Sequence, residues 1–225
     1  MNFRDLGGLP ADGGTVRSGV LFRSDSLAYA TKTDATRLVD EFGLATVIDL
    51  RGEYEVEQLG RGPLAETKVR YVHAPIVDVT RSDELARHYL AILDERGTVL
   101  ADLVRLITEP TALPAVFHCE AGCDRTGVFA AVVLGLLGVT EDEIATDYEL
   151  TAPAMPEIHA RIQRTIAQLG LPPRNVIDWA PQAQMMADTL ALVRERWGGI
   201  EEWAATHGLS EEDIANLRTA LLVRI

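Results

Sequence analysis

The stretch VFHCEAGCDRTGVF, residues 116–129, places a cysteine at the end of an apolar run and an arginine six positions later. The apolar residues before Cys119 predict a short buried strand. The continuously apolar residues after Thr126 predict a helix buried in the core. Gly122 lies in the short segment between the two. The pattern therefore predicts a strand, a tight loop and a helix that begins near Arg125.

Strands and helices alternate around this unit. ATVIDLR at 45–51 and VRYVHAPI at 69–76 predict two strands, while TKTDATRLVDEFG at 31–43 and the material at 84–108 predict helices. We expect an α/β fold with a mainly parallel central sheet flanked by helices and a helical C-terminal third. No linker or repeat interrupts the chain, which predicts a single domain over residues 1–225.

Two further predictions concern strands. TVRSGVLFR at 15–23 alternates weakly around a central glycine, which predicts a short hairpin. Arg51, Asp78 and Cys119 each follow the end of a predicted strand. Ligands of parallel sheets bind beyond the carboxyl ends of the strands, so we expect these three residues to converge at one edge.

Charge and cysteine content limit the class of protein. The formal net charge is −13, which disfavours nucleic acid and anionic lipid as partners. The chain has two cysteines four positions apart, so no disulfide framework is indicated. No apolar run approaches the ~20 residues of a membrane span, and the first residues do not resemble a secretory signal. These features predict a cytoplasmic protein; secretion without a signal peptide and the oligomeric state stay open.

The loop between strand and helix is suited to hold an anion. Successive backbone amides of such a loop can point inward, and the following helix presents its positive dipole end. Arg125 adds a planar fork of donors that fits phosphate oxygens. The same field stabilises a thiolate on Cys119, which could attack a phosphoryl group in line. Thr126 could donate its hydroxyl to the departing sulfur, and His118 is expected to orient the loop.

Family resemblance extends this interpretation. HCEAGCDRTG at 118–127 resembles the signature loop of cysteine-dependent protein tyrosine phosphatases, in which five residues separate Cys from Arg and a Ser or Thr follows. NFRDLGG at 2–8, FRSDSL at 22–27, VIDLR at 47–51 and the segment at 198–222 resemble, in order, a bacterial family described as acting on phosphotyrosine, phosphoserine/threonine and phosphoinositides. The resemblance implies a phosphatase that forms a cysteinyl-phosphate, with phosphorylated protein or a small phosphomonoester as substrate.

The resemblance also implies site roles. Phosphatases with this loop can use the aspartate before the arginine as general acid, which favours Asp124; Asp78 is the alternative, because many tyrosine phosphatases carry the acid on another loop. The family commonly has lysine at position 123, a residue associated with phosphoinositide head groups, so its replacement by Cys123 lowers the expected lipid phosphatase activity. No metal or cofactor is expected. The predicted catalytic residues are Cys119, Asp124, Arg125 and Thr126, and the predicted phosphate-binding residues are Glu120, Ala121, Gly122, Cys123, Asp124 and Arg125.

Other interpretations stay open. The loop could bind phosphorylated partners without turnover, or Cys119 and Cys123 could form a redox couple. A metal site made by His118 and the two cysteines has too few ligands to be favoured. Three arginines could bind a ligand or hold loops through nearby acids: Arg4 beside Asp5, Arg23 near Asp25, and Arg51 near Asp49 and Glu53.

Overall fold

The computed structural model describes residues 1–77, 79–80, 82, 84–170 and 180–224. The strands are β1 Arg4–Asp5, β2 Pro10–Ala11, β3 Gly14–Val16, β4 Leu21–Ser24, β5 Thr46–Asp49, β6 Arg70–His73, β7 Ala115–His118 and β8 Leu222–Arg224. The α-helices are α1 Lys32–Asp40, α2 Glu53–Leu59, α3 Leu85–Glu95, α4 Gly97–Leu106, α5 Asp124–Leu136, α6 Glu141–Glu149, α7 Met155–Gln168, α8 Ala183–Trp197, α9 Ile200–Thr206 and α10 Glu211–Leu221.

The central sheet has the strand order β1-β4-β7-β5-β6. Neighbours from β4 to β6 run parallel, and β1 is added antiparallel at one edge. Strands β4, β5 and β7 are buried throughout, as expected for parallel strands covered on both faces, and the burial includes polar residues such as Arg23 and Asp49. The predicted α/β class with a mainly parallel sheet is confirmed.

Helix α5 forms the centre of the core. Ten of its residues are buried, including Val128, Phe129 and Val132. It contacts β4 and β7 of the sheet and α3, α6, α9 and α10 among the helices, so it has no face left for solvent. This packing accounts for a helix sequence that is apolar all round, and it fixes the direction in which the N-terminus of α5 points.

The predicted hairpin at 15–23 is wrong. Strand β3 pairs with β2 and with β8, whereas β4 pairs with β1 and β7, so the two halves of the segment belong to different sheets. Gly19, with a φ of 77°, turns the chain between them. Strands of three or four residues carry too little pattern to specify their partners. For the same reason, the final strand β8 was not predicted within the helical C-terminal third.

The carboxyl ends of the parallel strands meet as expected. Asp49 at the end of β5 is in register with His118 at the end of β7, which brings Arg51 and Cys119 to one edge of the sheet. Ser24 of β4 is also in register with His118. Asp78, the third residue predicted at this edge, lies outside the described residues.

Candidate active site

A strand, loop and helix surround residues 119–125 as predicted. β7 ends at His118, the loop follows, and α5 begins at Asp124. Cys119 is 1% exposed at the start of the loop, and Gly122 has a φ of 69° in its middle. A Cβ at Gly122 would also lie 2.6 Å from the backbone of residues 24 and 25. Only glycine satisfies both the backbone conformation and the close approach.

The carbonyl groups of this loop point away from its centre and accept hydrogen bonds from surrounding elements. Buried carbonyls need such partners, and their positions show which side of each peptide faces outward. The donors are His118 Nδ1 to Cys119 (3.1 Å), the Ser26 amide to Glu120 (3.0 Å), and both Arg23 Nη2 (2.9 Å) and Asn2 Nδ2 (3.3 Å) to Gly122.

The amide groups of the same loop are available. The N–H groups of residues 120–125 donate to no other group in the described part of the chain. With the carbonyls turned outward, these amides are turned toward the inside of the loop, at the N-terminus of the 13-residue helix α5. Such an arrangement of unpaired donors at a helix N-terminus attracts an anion. We call the ring formed by residues 119–125 the cradle.

Arg125 is held at the cradle by Glu55. Its Nη1 and Nη2 atoms donate to the two carboxylate oxygens of Glu55 at 2.6 and 2.8 Å. Burial alone would lower the pKa of Arg125, but Glu55 and then the neighbouring Cys119 raise it. The pairing leaves the Nε–H and a second N–H of the guanidinium free for another acceptor, because arginine carries five donors. Glu55 can therefore orient Arg125 without occupying its phosphate-binding edge.

The role of Glu55 was not predicted from the sequence. On helix α2, Glu53 and Glu57 are exposed, whereas Glu55 is half-buried. Glu55 also accepts the Gly52 amide at the start of α2, at 2.7 Å. Burial favours its neutral form, yet Arg125 lowers the pKa of Glu55, so the partner of Arg125 is a carboxylate.

Arg23 and Arg4 share Asp147 rather than pairing with the acids close to them in sequence. Asp147 accepts from Arg23 Nη1 at 2.5 Å and from Arg4 Nε at 2.9 Å. Arg23 is fully buried, and its other terminal nitrogen holds the Gly122 carbonyl. Burial alone would raise the pKa of Asp147, but the two guanidinium groups lower it. Arg23 therefore holds the loop directly, and Arg4 supports it through Asp147 and Asn2.

Removing the shared acid of this cluster should destabilise the fold. Asp147→Ala leaves two largely buried arginines without a counter-ion, so we expect the free energy of unfolding to fall by about 3–5 kcal/mol. Urea unfolding measures it. The control is Glu41→Gln, which removes the exposed pair with Arg37 and should cost less than about 1 kcal/mol. Equal losses in the two variants would contradict the assignment.

Arg51 holds a second part of the site. Its guanidinium forms a buried ion pair with Asp49 at 2.6 Å and also donates to Ser26 Oγ and to the Gly60 carbonyl that ends α2. These contacts fix the segment that carries Glu55. The Arg51 guanidinium is therefore bonded to groups of the protein. These bonds favour the role of holding loops over the role of binding a ligand.

His118 and Thr126 lie on opposite sides of Cys119 in the sequence, and both are buried. Burial lowers the pKa of His118, so its neutral ring can donate from Nδ1 to the Cys119 carbonyl. The Thr126 hydroxyl has no hydrogen-bond partner among the described residues. A buried hydroxyl without a partner is costly, and it is available to a group that enters the cradle.

Asp124 lies at the wall of a cleft of about 650 Å³ that Arg125 also lines. Its Oδ1 atom accepts a hydrogen bond of 2.5 Å from Tyr89 of α3. The position of Asp124 at the mouth of the cradle is consistent with the predicted role of general acid. The alternative acid, Asp78, is outside the described residues.

The side chains of Glu120 and Cys123 turn away from the centre of the loop toward protein groups. Glu120 accepts from the Tyr29 hydroxyl at 3.1 Å, and burial raises the pKa of its carboxyl group, which reduces negative charge beside an anion site. Cys123 is fully buried and donates to Tyr148 at 3.6 Å. Burial raises the pKa of Cys123, so it is a poor candidate for a resolving thiol. Both cysteines are free.

Neither a metal-binding cluster nor a membrane-spanning helix is found among the described residues. No group of three or more His, Cys, Asp or Glu residues in that part of the chain could hold a metal ion. No helix in it has the length and apolar character that crossing a membrane requires.

Solved structures of two phosphatases are similar to this chain. The core catalytic domain of the PP-IP phosphatase Siw14 of S. cerevisiae covers 77% of this chain and 96% of its own, with 18% identity and a TM-score of 0.46. TpbA of P. aeruginosa covers 88% and 91%, with 17% identity and a TM-score of 0.41.

Sequence comparison covers almost the whole chain. A Cupriavidus necator protein assigned to the tyrosine-protein phosphatases is 29% identical over 238 residues, which span 96% of this chain and 84% of that protein. The triple specificity protein phosphatase PtpB of Mycobacterium tuberculosis is 27% identical over 275 residues, which span 98% and 96%. The profile of the tyrosine phosphatase family matches residues 1–223. The chain therefore belongs to the tyrosine phosphatase family, which confirms the prediction from its sequence that it is a phosphatase.

Proposed function

We propose that this phosphatase hydrolyses phosphomonoesters, with phosphotyrosine-type substrates preferred, through a cysteinyl-phosphate formed on Cys119. The observation that carries the proposal is the cradle. The carbonyls of Cys119, Glu120 and Gly122 are satisfied by groups around the loop, and the amides at 120–125 have no partner in the described chain. A dianionic phosphoryl group supplies the acceptors that these amides and the free edge of Arg125 lack.

In the first step, the Cys119 thiolate attacks phosphorus from the floor of the cradle. The phosphorus–sulfur bond forms as the bond to the ester oxygen breaks, and Asp124 transfers its proton to the departing oxygen. The loop amides and Arg125 bind the equatorial oxygens, where charge must be stabilised in the transition state. The fixed geometry replaces a bimolecular encounter by an in-line approach.

In the second step, water attacks the phosphorus of the cysteinyl-phosphate. Asp124, now a carboxylate, accepts the proton of that water, the phosphorus–sulfur bond breaks, and phosphate leaves. The unpaired Thr126 hydroxyl is suited to donate to the sulfur as it regains its charge. The cycle then returns Cys119 and Asp124 to their starting states.

The walls of the cleft support an aryl substrate. Apolar and aromatic side chains of α2, α3 and the segment after β6 line it together with Asp124 and Arg125. The apolar part of this lining can contact an aromatic ring, while Glu55, Ser82 and His88 make the rest of the wall polar. The lining residues include Tyr54, Ile76, Val77, Val79 and Ile92.

Position 123 bears on lipid substrates. The relative PtpB is named a triple specificity phosphatase. In the present chain, the residue at 123 is a buried thiol bonded to Tyr148, so it offers no cation to an inositol phosphate. We therefore expect phosphotyrosine peptide to be hydrolysed faster than phosphoserine peptide, and phosphoinositide slowest, when phosphate release is compared across the three.

The proposal is tested by acid quench during turnover of 4-nitrophenyl phosphate in the presence of EDTA. Mass spectrometry should find a phosphoryl group on Cys119, since the cysteine and arginine carry the chemistry. Turnover that EDTA abolishes and magnesium restores would contradict the mechanism. Tight phosphate binding with no turnover of any of these substrates would favour the binding module instead.

The assignment of the acid makes a separate prediction. Asp124→Asn should lower kcat by about 10²-fold or more on phenyl phosphate but much less on 4-nitrophenyl phosphate, because a good leaving group needs no proton. The measurement is kcat for both substrates. Asp78→Asn is the matched comparison. If that variant discriminates between the substrates and Asp124→Asn does not, Asp78 is the acid.

A further inference from the structure

A row of hydrogen bonds links two neighbouring residues of the cradle, Asp124 and Cys123, through two buried tyrosines. The Tyr89 hydroxyl lies 2.5 Å from Asp124 Oδ1, the hydroxyls of Tyr89 and Tyr148 are 2.8 Å apart, and Cys123 Sγ lies 3.6 Å from the Tyr148 hydroxyl. Tyr89, Tyr148 and Cys123 are each 1% exposed or less. Phenylalanine in place of Tyr89 or Tyr148 would fill the same space without a buried hydroxyl that needs a partner. The presence of this polar row therefore indicates a function.

We propose that Tyr89 is a positioning residue that holds the carboxyl group of Asp124 by one oxygen, with Tyr148 and Cys123 completing a directed chain behind it. This inference rests on the proposed role of Asp124 as general acid. Tyr89 acts only through Asp124 and contacts no reacting atom.

The direction of the chain follows from its end. The Tyr89 hydroxyl donates its single proton to Asp124 Oδ1, and this bond is kept when the carboxyl group is protonated on Oδ2. The Tyr89 oxygen is then left to accept from Tyr148, whose own oxygen accepts from the Cys123 thiol. Along the row, each hydroxyl donates toward Asp124 and accepts from the group behind it. Hydrogen bonds aligned in this way strengthen one another.

The three donors stay protonated in the folded protein. Burial first, and then the charge of Asp124, raises the pKa of Tyr89 well above its ordinary range. Burial likewise raises the pKa of Tyr148 and that of Cys123. These raised pKa values favour the protonated forms that this direction requires.

Fixing Oδ1 as an acceptor decides which oxygen carries the catalytic proton. A neutral carboxyl group has one O–H, and Oδ1 already accepts from Tyr89, so the proton lies on Oδ2. Rotation of the carboxyl group would break the bond to Tyr89. The pairing thus keeps the proton of Asp124 on a single oxygen, where the leaving group can receive it.

The row of hydrogen bonds also gives Cys123 a function. A lysine at this fully buried position would place an unpaired ammonium group in the core at a large cost. A thiol is small enough for the fully buried site and donates weakly to Tyr148. Cys123 thereby supplies the first donor of the row.

The test compares Tyr89→Phe with wild type on two aryl phosphates. On phenyl phosphate, kcat should fall by about 10-fold or more, the size expected for losing one bond to an ionisable carboxyl group. On 4-nitrophenyl phosphate, kcat should change by less than about 3-fold, and the inhibition constant of vanadate should stay unchanged. Tyr148→Phe, which removes the donor to Tyr89, should show the same pattern with a smaller loss.

Two further variants separate this inference from the proposed function. In an Asp124→Asn background, Tyr89→Phe should cause no additional loss on phenyl phosphate, because the two residues act as one unit. Tyr71→Phe is the matched control, since its hydroxyl donates to Asp49 at 3.0 Å, and it should show no dependence on the leaving group. If Asp124→Asn discriminates between substrates and Tyr89→Phe does not, the positioning role is wrong. If neither discriminates, the acid assignment itself is wrong.

Discussion

Cys119→Ser is expected to lose turnover of aryl phosphates by at least about 10⁴-fold in kcat, because the variant has no nucleophile that can form the covalent intermediate. The same variant should still bind phosphate, with a dissociation constant within about 3-fold of wild type. The physical reason is that the donors of the cradle come from the backbone of 120–125 and from Arg125, which the substitution leaves in place. Steady-state kinetics and calorimetric titration with phosphate measure the two quantities.

The control for this prediction is Cys123→Ser. It changes the other buried cysteine of the same loop but keeps the proposed nucleophile, so it should form the phosphoryl adduct on Cys119. Turnover that survives in Cys119→Ser, or an adduct that appears on Cys123, would overturn the mechanism. Loss of phosphate binding in Cys119→Ser would show that the loop had changed its shape.

Arg125→Lys is expected to lose both phosphate affinity and rate, with kcat/KM lower by about 10³-fold. A lysine offers one point charge in place of a planar fork, so it cannot bind Glu55 with two bonds and phosphate with two more. The two bonds to Glu55, at 2.6 and 2.8 Å, are the reason to expect that the charge alone will not be sufficient. Kinetics with 4-nitrophenyl phosphate and titration with phosphate provide the measurement.

Glu55→Gln tests whether Glu55 and Arg125 act as a pair. It should lose activity in the same direction but by less, and the double variant with Arg125→Lys should lose little more than Arg125→Lys alone, since the pair acts together. Arg37→Lys, at an arginine whose side chain is 58% exposed on α1, serves as the control and should leave kcat/KM unchanged. Additive losses for Glu55 and Arg125 would contradict the positioning role of Glu55.

Local interactions explain what could be predicted from the sequence. The strand before Cys119, the loop at Gly122 and the helix from Asp124 are specified by residues close together in the chain, and the structure has them where expected. The start of α1 is similar, because Thr31 and Asp34 form a capping box within one turn. The spacing from Cys119 to Arg125 is also a local feature of the chain. The family could therefore be recognised from the sequence.

The sequence did not determine which distant groups would meet. Asp147 is 124 positions from Arg23 and Glu55 is 70 from Arg125, whereas Arg23 and Arg4 have acids much closer in sequence. Tyr89 reaches Asp124 across 35 positions, and β8 joins β3 from the other end of the chain. A chain with 34 acidic and 21 basic residues offers many pairings of similar energy. The tertiary structure selects among them, because the packing of α2, α3 and α6 around the cradle decides which charges are buried together and must neutralise one another.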